Sequence, residues 1–217
     1  MDSEASLREA IVDAARRMRD AGLVAGTSGN VSARAAHADQ FWITPSGVDP
    51  SKLNTQALVK VGLDGEVLEG GLRPSIDTMN HAAIYRRRDD VASVIHTHST
   101  FATVFAVLRR EIPALLAEAA GYLGGAVPVM GYLPPASPDQ GAKAADGLGA
   151  GQAVLLPNHG VIAVGDSVES AFTAALLVEQ AARVAYLSTL LGAPVPLPAG
   201  EVERVHRFLR EEYGQRS

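Results

Sequence analysis

The chain contains no cysteine. That fact narrows its folding options more than any motif it carries. Disulfide scaffolds, thiolate zinc fingers and iron–sulfur domains are closed to it, and so is a cysteine nucleophile. The fold must rest on its own apolar core, and any metal must be held by histidine and carboxylate. Six histidines are available: His37, His81, His96, His98, His159 and His206. With 217 residues, 47% of them hydrophobic, the material suffices for one globular core.

Charge excludes further classes. Nineteen basic residues stand against 24 acidic ones, a net of −5 with no long basic block, so no nucleic-acid partner is expected. The opening MDSEASLREA lacks a basic-then-apolar leader pattern. No apolar run is longer than the five residues of Ala174 to Val178, far short of the roughly 20 residues that span a bilayer. The expectation is a soluble, cytoplasmic protein with no membrane partner.

Periodicity alternates between helix and strand. Ser6 to Asp20 reads as an amphipathic helix with Leu7, Ile11, Ala14, Ala15 and Met18 on one face and Ser6 and Glu9 at capping-box spacing. Val31 to Arg34 and Phe41 to Thr44 read as strands. Leu58 to Val61 and Glu66 to Leu68 flank Asp64-Gly65, a hairpin signal. Ser75 to Arg88 reads as a helix with Ile76, Met79, Ala83 and Ile84 inward, Val91 to His98 as a strand, and Phe101 to Leu108 as a helix. Ser137-Pro138-Asp139-Gln140 is a helix start with serine as N-cap. Two strands, Ala153 to Leu156 and Val161 to Val164, enclose Pro157-Asn158-His159-Gly160. Long and short helices over Ser167 to Leu191 and Glu201 to Tyr213 close the chain. There is no repeat and no linker, and one α/β domain fits.

His96-Thr97-His98 is the sharpest chemical feature. On a strand, residues i and i+2 point the same way, so both imidazoles leave one face. The pattern reads either as half a metal site or as two polar residues closing a strand. His159, in a turn between apolar strands, reads as a third nitrogen ligand or as part of a good tight turn. Asp77, at a helix start, reads as a helix-dipole partner, a fourth ligand or a base beside the metal. His81, one turn later, reads as a site neighbour or a buried structural histidine, and His37 and His206 as surface residues. Three small-residue loops, Gly26-Thr27-Ser28-Gly29-Asn30, Thr44-Pro45-Ser46-Gly47 and Arg73-Pro74-Ser75, each read as a plain turn. Beside a metal triad they suggest a cradle for phosphate.

In order, GTSGNVSAR, ITPSGV, PSIDTMNHAAIY, VIHTHS and LPNHGVIAVG resemble the motifs of the class II aldolase/adducin family, most of all its L-fuculose-1-phosphate aldolase branch. The resemblance runs from about Leu7 to Tyr213. It implies one domain over residues 1–217, folded as a three-layer α/β/α sandwich around a mostly antiparallel sheet, and a homotetramer with active sites between subunits. It implies one Zn²⁺ (or another divalent ion) per subunit, held by His96, His98 and His159. Asp77 takes the place of the family's acid/base carboxylate, and Tyr213 that of a mobile C-terminal tyrosine. Thr27, Gly29, Asn30, Ser46, Gly47 and Ser75 fall at the phosphate site. The implied reaction is reversible retro-aldol cleavage of a ketose 1-phosphate to dihydroxyacetone phosphate and an aldehyde, through a metal-stabilised enediolate. Within the family the alternatives are an L-ribulose-5-phosphate 4-epimerase or a decarboxylase of a sugar-acid phosphate. An adducin-like interaction module is disfavoured by the complete histidine set. The chain departs from the aldolase pattern at Ile76 (usually serine), at Asp77 (usually glutamate) and at Ala117, where a tyrosine is usual and Tyr122 is the nearest substitute. The epimerases' catalytic aspartate falls at Gly121.

Overall fold

The computed structural model describes residues 3–134, 137 and 139–212. Tyr213 lies outside the described residues, as does Pro138 of the expected helix start. The chain opens with α1 (Glu4–Asp20), which buries Ile11, Val12, Ala14, Ala15 and Met18. The cap sits one turn earlier than the Ser6/Glu9 spacing predicts: extended Ser3 accepts the Ser6 amide through its hydroxyl. Then follow β1 (Asn30–Ala33), β2 (Gln40–Ile43), and the hairpin β3 (Val59–Gly62) and β4 (Val67–Glu69). Next come α2 (Thr78–Arg87), β5 (Ser93–Thr97), α3 (Thr100–Leu108) and α4 (Ala117–Leu123). The last third holds α5 (Gln140–Leu148), β6 (Ala153–Leu156), β7 (Gly160–Gly165), α6 (Val168–Thr189) and α7 (Ala199–Glu211).

Among the described residues, seven strands make one sheet in the order β4-β3-β2-β1-β5-β7-β6, each paired antiparallel with its neighbours. Alternation along the strands sorts side chains into two cores. Val31, Ala33, Trp42, Ile95, Leu155, Val161 and Ala163 pack with α1, α3, α4 and α6 on one face. Phe41, Ile43, Val59, Val61, Val94, Val154, Leu156, Ile162 and Val164 pack with α2 and α5 on the other. The result is the expected α/β/α sandwich around an antiparallel sheet. Fully burying each Val, Leu or Ile contributes about 1.5–3 kcal/mol, so two such clusters carry the fold without cross-links.

Three local expectations are corrected. Helix α2 starts at Thr78, so Ile76 belongs to the preceding turn and is 73% exposed, and Met79 is 44% exposed. Ala83 and Ile84 are inward as expected, and polar Thr78, Asn80 and His81 are buried beside them. Helix α5 is capped at Asp139, two residues beyond the expected Ser137. His206 is not a surface residue: it is half-buried, and its Nδ1 donates to the Gly121 carbonyl at 2.5 Å, seating α7 on α4. His37 is exposed, as expected.

Candidate metal centre

Pairing of β5 with β7 builds the site. His96 lies opposite Ile162 and Thr97 opposite Val161, which brings the end of β5 beside the start of β7. His98 follows β5 directly, with its amide donating to the Leu23 carbonyl at 3.1 Å. His159 sits in the β6–β7 turn, where the His159 amide bonds the Leu156 carbonyl at 3.1 Å. Pro157 precedes Asn158, whose φ is +56°, so the turn has type II character. Gly160 is required here. A Cβ at that position would collide with the Thr97 carbonyl oxygen and come within 2.9 Å of the His98 ring.

The three imidazoles converge. His96 Nε2 lies 2.9 Å from His98 Nε2 and 3.2 Å from His159 Nε2. His96 Nδ1 is 2.9 Å from the Val161 carbonyl, which can only accept. Nδ1 therefore carries the proton, and the Nε2 lone pair faces the cluster. Burial, above all, pushes the His96 pKa down to about 3, against the pull of Asp77. Burial likewise lowers His98 and His159. All three are then neutral near pH 7, the form that binds a cation. Nitrogens on a tetrahedral zinc at 2.0–2.1 Å stand ~3.3 Å apart, close to the separations found. The donor set therefore fits a divalent ion, with a coordination position left for water or substrate.

Asp77 borders this cluster. Its Oδ2 is 4.0 Å from His96 Nε2 and accepts from Asn30 Nδ2 at 2.8 Å, and its Oδ1 accepts from Asn80 Nδ2 at 3.0 Å. Asn30 stands opposite His96 in the β1–β5 ladder, which is how the loop before β1 reaches the site. Burial opposes the Asp77 charge, but His96, His81 and the Asn30 hydrogen bond outweigh it and hold its pKa below the usual value. Asp77 is the N-cap of α2 yet its side chain caps no amide.

Two of the three small-residue loops are laced together beside it, and the third shares a recess with one of them. The Ser46 amide donates to the Arg73 carbonyl at 2.9 Å and the Ser75 amide to the Thr44 carbonyl at 3.2 Å. Thr27, Gly29, Asn30, Thr44 and Pro45 share the lining of a recess of about 20 Å³ over apolar Met18 and Val24. Ser46 and Gly47 are exposed, with Gly47 at φ +71°. Ser75 is buried, and its Oγ accepts the Asp77 amide at 3.2 Å. Gly29, at φ +77°, must stay glycine because a Cβ would approach the His96 carbonyl to 2.8 Å. The hydroxyl of Tyr122, the nearest substitute for the tyrosine missing at Ala117, donates to the Ser170 carbonyl of α6 at 3.2 Å. His81 is buried outside the cluster, with Nδ1 2.7 Å from Ser32 Oγ. Sequence reasoning misses two residues of this neighbourhood, Asn80 and Gln140. Asn80 is within its reach, three residues after Asp77 on the same helix. Gln140, from α5, is not.

This geometry describes a metal-dependent enzyme, and comparison with known proteins says which kind. Residues 9–186 match the model of the family described as Class II Aldolase and Adducin N-terminal domain, and the chain belongs to that family. It is a class II aldolase. It is 35% identical over 208 residues to the 5-deoxy-D-ribulose 1-phosphate aldolase of Bacillus thuringiensis serovar kurstaki, covering 96% of this chain and 97% of that protein. It is 32% identical to an L-ribulose-5-phosphate 4-epimerase of Salmonella paratyphi C, covering 97% of this chain and 99% of the other. Among solved structures, an L-fuculose 1-phosphate aldolase superposes with a TM-score of 0.91 at 31% identity, covering 97% of this chain and 98% of that one.

Proposed function

We propose that the protein is a zinc-dependent aldolase that reversibly cleaves a ketose 1-phosphate into dihydroxyacetone phosphate and an aldehyde. The observation that carries this reading is the convergence of three neutral imidazoles beside a buried carboxylate, next to the laced loops. Two of the relatives are named for ketose 1-phosphate substrates, which supports the same class here. His96, His98 and His159 would hold the ion. Bound there, it supplies Lewis acidity for the negative charge that develops on a substrate oxygen. Asp77, ionised before condensation, takes a proton from the dihydroxyacetone-phosphate carbon, and the resulting enediolate forms the bond between C3 and C4; in cleavage that bond breaks and the protonated carboxyl returns the proton to the carbon. Thr27, Gly29, Asn30, Ser46, Gly47 and Ser75 offer hydroxyls and backbone N–H groups to the phosphate. The Asn30 amide is committed to Asp77, so its loop would serve through its backbone. Tyr213 is assigned the proton on the aldehyde side. Residues 1–217 would act as one domain in a cytoplasmic homotetramer with sites between subunits, for which exposed Val107, Leu108, Leu187, Leu190 and Leu191 are suitable contact residues.

An epimerase reading is less well supported. Gly121, at the place of the epimerases' aspartate, lies beneath Val205 and Leu209 of α7, where a side chain would collide.

The direct test is a retro-aldol assay on a panel of ketose 1-phosphates, with metal measured on the same sample. Release of an epimer or of carbon dioxide instead of dihydroxyacetone phosphate would overturn the reading. His96→Ala should lose metal and turnover, and full turnover in that variant would refute the metal site. Asp77→Asn should keep its metal and slow solvent exchange of the dihydroxyacetone-phosphate carbon proton by about 10²- to 10⁴-fold. Exchange at the wild-type rate would move the base elsewhere.

A further inference from the structure

We propose that Asn80 is a positioning residue for Asp77 and that Gln140 is its anchor. This inference rests on reading Asp77 as the base.

The terminal torsion of an aspartate is broad and roughly two-fold, so packing alone sets the plane of its carboxylate poorly. Hydrogen-bond donors must set it. Here each oxygen has its own donor, and the two donors come from different elements. Asn30 of β1 holds Oδ2 at 2.8 Å, and Asn80 of α2 holds Oδ1 at 3.0 Å. Asn80 is itself fixed. Its amide has two N–H groups, one given to Asp77 and the other to Gln140 Oε1 at 3.0 Å. Because Gln140 offers that amide an acceptor, Asn80 is oriented with its donors toward the carboxylate. Both residues are buried, Asn80 to 4% and Gln140 to 1% exposure, so water does not compete for these bonds.

Two further features fit this role. Asp77 and Asn80 occupy the N-cap and third positions of α2, where a side chain ordinarily caps a backbone amide. The Asp77 side chain caps none and is directed to the two asparagines instead. Gly141 lets α5 approach so closely that a Cβ there would come within 2.7 Å of the Asn80 Cα. The two helices are therefore in close contact next to the point where Gln140 meets Asn80.

The test uses the metal-loaded enzyme. Asn80→Leu keeps the size of the side chain and removes both donors. It should lower kcat about 10- to 100-fold, the usual cost of losing an outer partner of a site residue, with KM and metal content unchanged. Gln140→Leu, should Asn80→Leu fail to fold, should lower kcat in the same direction by a smaller factor. A kcat within about two-fold of wild type, or a loss confined to KM, would overturn the role, because outer partners of this kind carry larger effects on turnover. A crystal structure of either variant reads the clamp without activity. The Asp77 carboxylate should leave its place beside His96, and an unmoved carboxylate would overturn the proposal. If the wild-type enzyme cleaves no ketose 1-phosphate, the proposed reaction fails, and that crystal structure still decides the clamp.

Discussion

At the scale of single residues, His81 shows how burial governs protonation. It is fully buried, and its Nδ1 meets Ser32 Oγ, which in turn lies 2.7 Å from the Tyr85 hydroxyl. Its Nε2 has no hydrogen-bond partner among the described residues. Burial lowers its pKa to about 4, against the pull of Asp77. An unfolded chain protonates histidine near pH 6.5. Between those values the unfolded state binds the proton and the folded state does not, so stability is lost as pH falls from about 6.5 toward 4. The full loss is roughly 3 kcal/mol, because a tenfold difference in proton affinity between the two states is worth about 1.36 kcal/mol. Urea titrations at pH 7 and pH 4.5 measure it. His81→Gln keeps a hydrogen-bonding group for Ser32 and cannot titrate, so its stability should fall less over that range. An unchanged fall would assign the pH dependence to other groups.

At the scale of elements, the contact of α5 with α2 separates two glycines that look alike in sequence. Both Gly141 and Gly200 are helical, and replacing either by alanine gains about 0.5–1 kcal/mol of helix propensity. At Gly200 nothing lies within 4 Å of an added Cβ, so Gly200→Ala should be neutral or stabilising. At Gly141 the added Cβ would meet the Asn80 Cα at 2.7 Å, the Ala83 Cβ at 2.8 Å and the Met79 carbonyl at 2.9 Å. None of these is the free end of a flexible side chain. Overpacking of this kind costs about 1–3 kcal/mol, so the strain wins and Gly141→Ala should be destabilising by about 1–2 kcal/mol. Urea midpoints of the two variants decide it, and shifts of the same sign would refute the argument. The same helix pair marks where sequence reading stops. The hairpin at Asp64-Gly65 and the strands around Pro157 to Gly160 are legible because apolar runs and turn residues agree locally. Helix α2 is legible only in its second half: Ala83 and Ile84 are buried as their spacing predicts, but Met79 is exposed and polar Asn80 and His81 are buried in the first turns. Buried polar residues leave no hydrophobic period to find. The histidine ligand set can be proposed from spacing and resemblance. The link from Asp77 through Asn80 to Gln140 depends on helices brought together by the fold, and no local pattern carries it.

At the scale of the whole molecule, the three histidines are placed by strand pairing and apolar packing rather than by one another. Both cores are apolar, the strand ladders are complete through β5 and β7, and the three histidines sit where that sheet ends. No described helix is long and apolar enough to cross a membrane. The cores are closed by helices packing on the two faces of the sheet. A chain built this way differs from a zinc finger, in which the binding energy of the ion is the folding energy. Removing the ion should therefore abolish turnover while leaving the far-ultraviolet circular dichroism of the native fold. The ion should still add stability by mass action, because the folded state presents three preset nitrogens and the unfolded chain does not. At a free zinc concentration of about 100 times the dissociation constant, that amounts to about 2.7 kcal/mol. The measurement is a pair of thermal or urea melts, one after chelation and one in titrated zinc, with turnover restored in the second. Unfolding on chelation would mean that the metal holds the sheet together. A melt insensitive to zinc would mean that the three histidines do not bind it. The expected result lies between these two, a folded inactive protein that zinc both stabilises and reactivates.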